Sequence, residues 1–221
     1  MAEQKLPKLT TRVRFPSPAP TFRLAAFVAS FLAVLSLFAP NLSAETRRTL
    51  DHAFLLEDAA GRTITGNDFP GRWLLIYFGY THCADQCPTA LGAMIEALSQ
   101  IGPAAEDIQP LFVTVDPERD RGPALAAFTA AFDRRIVGLT GSDKQIADAA
   151  KMFGVEYNKV LQGSDDYAID HSTTLSLVGP GRHEAVTFSF AEPFLIAAKL
   201  IAELERGGAA LGAVNNLGAY R

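Results

Sequence analysis

The chain alternates short apolar runs with polar breaks, and the spacing predicts its elements. Phe54-Leu55-Leu56 and Thr63-Ile64-Thr65 flank Ala59-Ala60-Gly61, which predicts a small hairpin. Trp73 to Phe78 is an all-apolar run of the kind found in a strand buried on both faces of a sheet. Gly79-Tyr80-Thr81-His82 breaks it, and a helix follows, with Pro88 in its first turn and Leu91, Met94, Ile95 and Leu98 as its apolar stripe. Gly102-Pro103 ends that helix. Ile108 to Val115 predicts a second buried strand, stopped by Asp116-Pro117. A second helix is expected from about Pro123 to Phe132, and a short strand over Ile136 to Leu139. Ser142-Asp143 can cap a third helix that shows Ile146, Ala149, Ala150 and Phe153 on one face and closes at Gly154. Residues 157–170 read as a polar loop. A strand over Thr173 to Val178, the turn Pro180-Gly181-Arg182 and a partner strand over Ala185 to Phe190 form a hairpin, and an amphipathic helix runs from about Glu192 to Arg206.

Parallel strand–helix units finished by an antiparallel pair and a last helix describe an α/β fold of thioredoxin-like type, a central mixed sheet flanked by helices. One domain, residues 50–207, holds these elements, and the Gly- and Asn-containing tail, residues 208–221, is expected to be flexible.

A different pattern precedes the domain. Residues 1–23 form a basic N-terminal segment carrying Lys5, Lys8, Arg12, Arg14 and Arg23, with Pro16, Pro18 and Pro20 favouring a loose tail. Residues 24–40 are continuously apolar apart from Ser30 and Ser36, and fall slightly short of the ~20 residues of a comfortable spanning helix. They read as a transmembrane anchor or a signal h-region, with a small residue, Ala44, where a peptidase could cut before Glu45. Leu42 rather than Ala stands two residues before Ala44, which puts the anchor slightly ahead. In both cases the basic end stays inside and the domain is exported. Export to a bacterial periplasm from the inner membrane is the expected location, with the mitochondrial inner membrane facing the intermembrane space as the alternative, because an Arg-rich, acid-poor leader also suits import.

Charge and cysteine usage narrow the chemistry. Apolar residues make up 48% and charged ones 20%, ordinary for a globular protein with a normal core. Of 20 Lys and Arg and 24 Asp and Glu, five basic and one acidic precede Glu45; the remaining 15 basic and 23 acidic carry a net of −8, which argues against nucleic acid as a partner. The 2 cysteines, Cys83 and Cys87, both lie in the exported part, where a disulfide is the default expectation. A bridge between residues four apart would close a tiny loop and constrain the unfolded chain little, so chemistry is the better account.

Both cysteines stand at the first strand–helix junction, where open α/β sheets gather ligands. The positive end of the helix is expected to favour thiolate, and residues i and i+4 share a helix face, so two sulfurs can converge on one ion. Two thiolates are soft ligands that suit Cu(I), with zinc as the main competitor. Cu(I) takes three ligands where structural zinc wants four, and His171, in Asp170-His171-Ser172 just ahead of the hairpin, is the candidate third ligand. Asp170 is expected to orient the imidazole or to serve as a weak extra ligand. His82 is a spare candidate pointed off the helix face, Asp116 and Asp120 are expected to fix the loop after the second strand, with a site-shaping role as the alternative, Trp73 to pack, and His52 and His183 to be solvated.

Phe78-Gly79-Tyr80-Thr81 before Cys83-x-x-x-Cys87-Pro88, then Asp116-Pro117-Glu118-Arg119-Asp120, Leu139-Thr140-Gly141-Ser142 and Asp170-His171-Ser172 resemble the Sco/SenC family of copper-binding assembly factors for cytochrome c oxidase. The resemblance covers about residues 50–205 and departs from many relatives at Ala84, where they have Pro. It implies that Cys83, Cys87 and His171 bind one copper ion and that the protein helps fill the dinuclear copper centre of the oxidase, a metallochaperone role beside which a thiol–disulfide oxidoreductase activity stays open; Cu(I), and also Cu(II), is the expected form. It also implies an N-terminal membrane anchor, and cytochrome c oxidase subunit II as copper acceptor. A copper donor protein and a thiol reductant are further expected partners, since an exported cysteine pair tends to oxidise. Two other readings use the same residues: a thiol–disulfide oxidoreductase with Cys83–Cys87 as redox-active disulfide, keeping oxidase cysteines reduced, and a copper or redox sensor. A peroxidase is disfavoured, because no further cysteine stands beside the pair to resolve a sulfenic acid.

Overall fold

In a computed structural model, the structure describes residues 46–49, 54–163, 166–181, 184–189 and 192–208. The expected anchor at 24–40, the Ala44–Glu45 junction, His52, His183 and the tail beyond 208 lie outside the described residues. Among the described residues no helix is long and apolar enough to cross a membrane.

The apolar run becomes β4, Trp73–Gly79, in which every residue is buried. It sits at the centre of an eight-stranded sheet. On one side it pairs in parallel with β5, Ile108–Thr114, which in turn pairs in parallel with β6, Val137–Thr140. On the other it pairs antiparallel with β9, Thr174–Val178, which forms a hairpin with β10, Glu184–Ser189. The small hairpin expected at 54–65 forms as β2, Leu56–Asp58, and β3, Thr63–Ile64, and adds to the β6 edge. At the opposite edge, β1, Thr46–Thr49, pairs with β10. Sequence reading did not pick out β1, because Thr46-Arg47-Arg48-Thr49 carries no apolar alternation.

Side chains alternate across a strand, and here they divide the helices between the two faces. Tyr77 and Phe112 point to the face where Phe128 of α2, Gly122–Phe132, packs, with the Phe112 and Phe128 ring centroids 5.3 Å apart. Phe78 points to the other face and meets Phe153 of α3, Asp143–Phe153, at 5.7 Å. The α3 start is a capping box between Ser142 and Gln145, and its end is Gly154 at φ 66°, a left-handed position that glycine adopts without the Cβ clash. The first helix, α1, runs Gln86–Gln100 with Leu91, Met94 and Leu98 fully buried, and it packs against α4, Pro193–Arg206. A mixed sheet with helices on both faces is the expected thioredoxin-like arrangement.

The stretch expected as a polar loop is not one. Residues Tyr157–Leu161 form β7 and Tyr167–His171 form β8, a separate antiparallel pair in which Tyr157 stands opposite His171. Backbone hydrogen bonds build this ribbon, and its apolar face is small: residues 158–161 are exposed, Ile169 is buried, and Tyr157 and Tyr167 pack partly buried against the core. So short an apolar alternation, Tyr167 and Ile169 beside exposed polar residues, hid it from sequence reading.

Candidate metal centre

The break after β4 brings the cysteines to the sheet's carboxyl end. Gly79 is needed there, because a Cβ at that position would lie 2.8 Å from the Cys87 sulfur and 3.0 Å from Phe112. Cys87 is the second residue of α1 and is fully buried, while Cys83 precedes the helix and is half-buried; both are free thiols. The Cys87 backbone N–H donates to the Cys83 sulfur at 3.3 Å, which turns the outer thiol toward the inner one.

The ribbon delivers the third group. The end of β8 places His171 Nε2 3.3 Å from Cys87 Sγ. The donor atoms of Cys83, Cys87 and His171 all lie within 4.8 Å of one another. His171 Nδ1 is 3.0 Å from the Ser172 carbonyl oxygen. A carbonyl only accepts, so Nδ1 carries the proton and Nε2 presents its lone pair toward the sulfurs. Asp170 does not perform the orienting role expected of it: it neighbours His171 in the strand, is exposed, and leaves the imidazole to Ser172.

Electrostatics corrects a second expectation. Burial pushes the Cys87 thiol up to about 12, and this outweighs hydrogen bonding to its sulfur. The helix start therefore does not by itself make Cys87 a thiolate; a bound cation would have to displace the proton. Burial lowers the His171 imidazole below its usual value, with the Ser172 carbonyl and Asp170 opposing, so a neutral ligand is favoured. Burial, followed by the adjacent thiols, raises Tyr77, whose hydroxyl reaches Cys87 Sγ at 3.9 Å.

Sequence reasoning missed the aromatic walls. The rings of Tyr77 and Tyr80 meet the imidazole edge-on at 6.1 and 5.9 Å. Tyr77 carries the lone hydroxyl of an apolar run and Tyr80 stands in the Phe-Gly-Tyr-Thr motif, the signals that could have found them. His82 is not brought to the cysteines. It groups instead with Asp116 and Asp120, two buried carboxylates whose partners lie partly outside their own loop, Thr81 for Asp120 and Tyr167 for Asp116.

Two thiols and one imidazole nitrogen in this geometry fit a soft ion taking three ligands. Comparison with known proteins then identifies the chain: the family model described as SCO1/SenC matches residues 43–206. The chain belongs to the SCO1/SenC family. This SCO1/SenC chain is 43% identical over 130 residues to the human protein SCO2 homolog, mitochondrial, a match taking in 58% of this chain and 49% of that protein. It is 36% identical over 192 residues to the human protein SCO1 homolog, mitochondrial, covering 80% and 64%. The matches thus span about half to under two thirds of these relatives' length. Among solved structures, Bradyrhizobium japonicum ScoI with copper bound is similar at a TM-score of 0.62 and 32% identity, over 69% of this chain and 98% of that one.

Proposed function

We propose that Cys83, Cys87 and His171 bind one copper ion, chiefly as Cu(I), and that the protein delivers this ion to subunit II of cytochrome c oxidase. The observation carrying this reading is the convergence of two sulfurs and Nε2 within 4.8 Å at the end of the sheet. Family membership supports it, as does the similarity to a ScoI that holds copper. Copper is cargo in this scheme, and the chain's residues do the rest. Cys87 gives up its proton on loading, Ser172 keeps the imidazole lone pair aimed inward, and Tyr77 and Tyr80 wall the site. Half-buried Cys83 is the sulfur an acceptor reaches first.

On this reading residues 24–40 anchor the chain and the domain faces a bacterial periplasm, with the mitochondrial intermembrane space as alternative. A copper donor loads the site, and a thiol reductant keeps the cysteines reduced.

A thiol–disulfide oxidoreductase is the second reading, favoured by two free thiols in close approach, one half-exposed and one buried. The raised Cys87 thiol weighs against it, because a protonated thiol is a poor attacking or resolving group at neutral pH. The test is a Cu(I) titration of the reduced full-length chain and of its His171→Ala variant. One copper per chain, weakened by more than roughly 100-fold in the variant, is expected, since loss of even an outer partner of a metal ligand costs ~10–100-fold. No uptake by the wild type, or uptake indifferent to His171, would leave the oxidoreductase in front.

A further inference from the structure

The segment Asp116-Pro117-Glu118-Arg119-Asp120 joins β5 to α2 and contains two fully buried carboxylates. Each holds a different segment that leads to the site. Asp120 accepts from the Thr81 backbone N–H at 2.8 Å, from the Thr81 hydroxyl at 2.5 Å and from the Thr114 hydroxyl at 2.6 Å. Thr81 lies two residues before Cys83. Asp116 accepts from the Tyr167 hydroxyl at 2.8 Å and pairs with Arg119. The Arg119 guanidinium stacks on the Tyr167 ring, 3.8 Å from its centroid, and donates to the Tyr167 carbonyl at 3.2 Å. Tyr167 opens β8, four residues before His171. Arg119 also stands 5.9 Å from the centroid of the Tyr80 ring that walls the imidazole.

Among the described residues the β7–β8 ribbon shares no ladder with the eight-stranded sheet. Its position therefore depends on its root, where Ser172 and Glu156 exchange hydrogen bonds, on the packing of Ile169, Tyr157 and Tyr167 against the core, on Glu118, which pairs with Lys159 and accepts from the Tyr167 hydroxyl, and on these side-chain ties. A second metal site at His82, Asp116 and Asp120 does not account for the buried acids, because every carboxylate oxygen of the pair already has a protein partner.

We propose that residues 116–120 are a positioning brace: Asp120 holds the Cys83 loop, Asp116 with Arg119 holds Tyr167, and the one segment sets the distance between the thiols and His171 before the ion arrives. Its members touch no metal ligand atom and act through the segments they hold. Donors fixed in advance leave less to order on binding, so loosening either grip weakens the site. The inference rests on the copper reading above.

The test is an epistasis measurement of Cu(I) affinity on the reduced full-length chain, by competition with a chromophoric Cu(I) chelator. Tyr167→Phe removes one hydroxyl and keeps the ring under Arg119. It is expected to weaken Cu(I) binding by roughly three- to tenfold, the range for one hydrogen bond. In a His171→Ala background the same change is expected to have no further effect, because its route to the ion is gone. Thr81→Val is expected to weaken binding similarly in both backgrounds, since it acts through Cys83. Arg119→Lys, which keeps charge and loses the stack, is expected to follow Tyr167→Phe, with thermal melting confirming that each variant folds. A Tyr167→Phe protein with wild-type affinity, or one equally weakened with and without His171, would overturn the brace alone. A wild-type chain that binds no Cu(I) would overturn the copper reading and the brace with it.

Discussion

The β4–α1 junction and the β7–β8 ribbon contribute to one site and are built in opposite ways. The junction is an extension of the core: β4 is buried along its whole length, Cys87 is fully buried, and Gly79 leaves no room for a methyl group. The ribbon is polar and mostly exposed, reaches 79% exposure at Leu161, and is held by a few side-chain ties. The sulfurs therefore take their positions from close packing, whereas the imidazole takes its position from a small apolar contact, two ring contacts and hydrogen bonds that can be removed one at a time. A single substitution in the junction disturbs core and ligand together; one in the ribbon can disturb the ligand alone.

The largest expected contrast is in pH. Cys87 holds its proton up to about 12, so Cu(I) binding must release it at every pH below that. Apparent affinity is expected to rise about tenfold per pH unit from this thiol alone, roughly a hundredfold between pH 6.5 and 8.5. Burial lowers the His171 imidazole below its usual 6.5, so its own proton release shifts toward the acidic end of that window and steepens the loss in more acidic solution. Chelator competition across that range checks this; a flat profile would mean that Cu(I) binds without releasing a thiol proton, which would contradict a protonated Cys87 as ligand.

Gly79→Ala tests the junction's packing. The added methyl must displace the Cys87 sulfur or the Phe112 ring, and overpacking of this kind costs about 1–3 kcal/mol. Denaturant melting is expected to show that loss together with weaker Cu(I) binding. The smallest effect is expected at the ribbon's tip, where Leu161→Ser removes an exposed side chain and should change stability by less than about 0.5 kcal/mol and leave Cu(I) affinity unchanged. A larger change at Leu161 would contradict the division between the two regions.

The same division separates what the sequence revealed from what it hid. Where apolar residues keep a period, the elements were legible: the β4 run, the α1 stripe, and the α3 capping box closed by Gly154. The candidate donors were legible because cysteines at i and i+4 beside a βα junction, with a distant Asp-His-Ser, carry their own chemistry. The ribbon and β1 were not, since β1 has no apolar period and the ribbon's is only Tyr167 and Ile169 beside exposed polar residues, so backbone pairing builds both without a clear mark in the sequence. Nor could the sequence show that Ser172, not Asp170, orients the imidazole, or that burial overrides the helix start at Cys87. Both depend on which way a side chain faces after folding.

The most direct test of the central claim is the ligand count around Cu(I) in the reduced, copper-loaded full-length chain, read by X-ray absorption at the copper edge. Three-coordinate copper is expected, with two sulfur neighbours and one imidazole nitrogen, the nitrogen absent in His171→Ala. Copper bound by sulfur alone in the wild-type protein, or a nitrogen that persists in the variant, would contradict it.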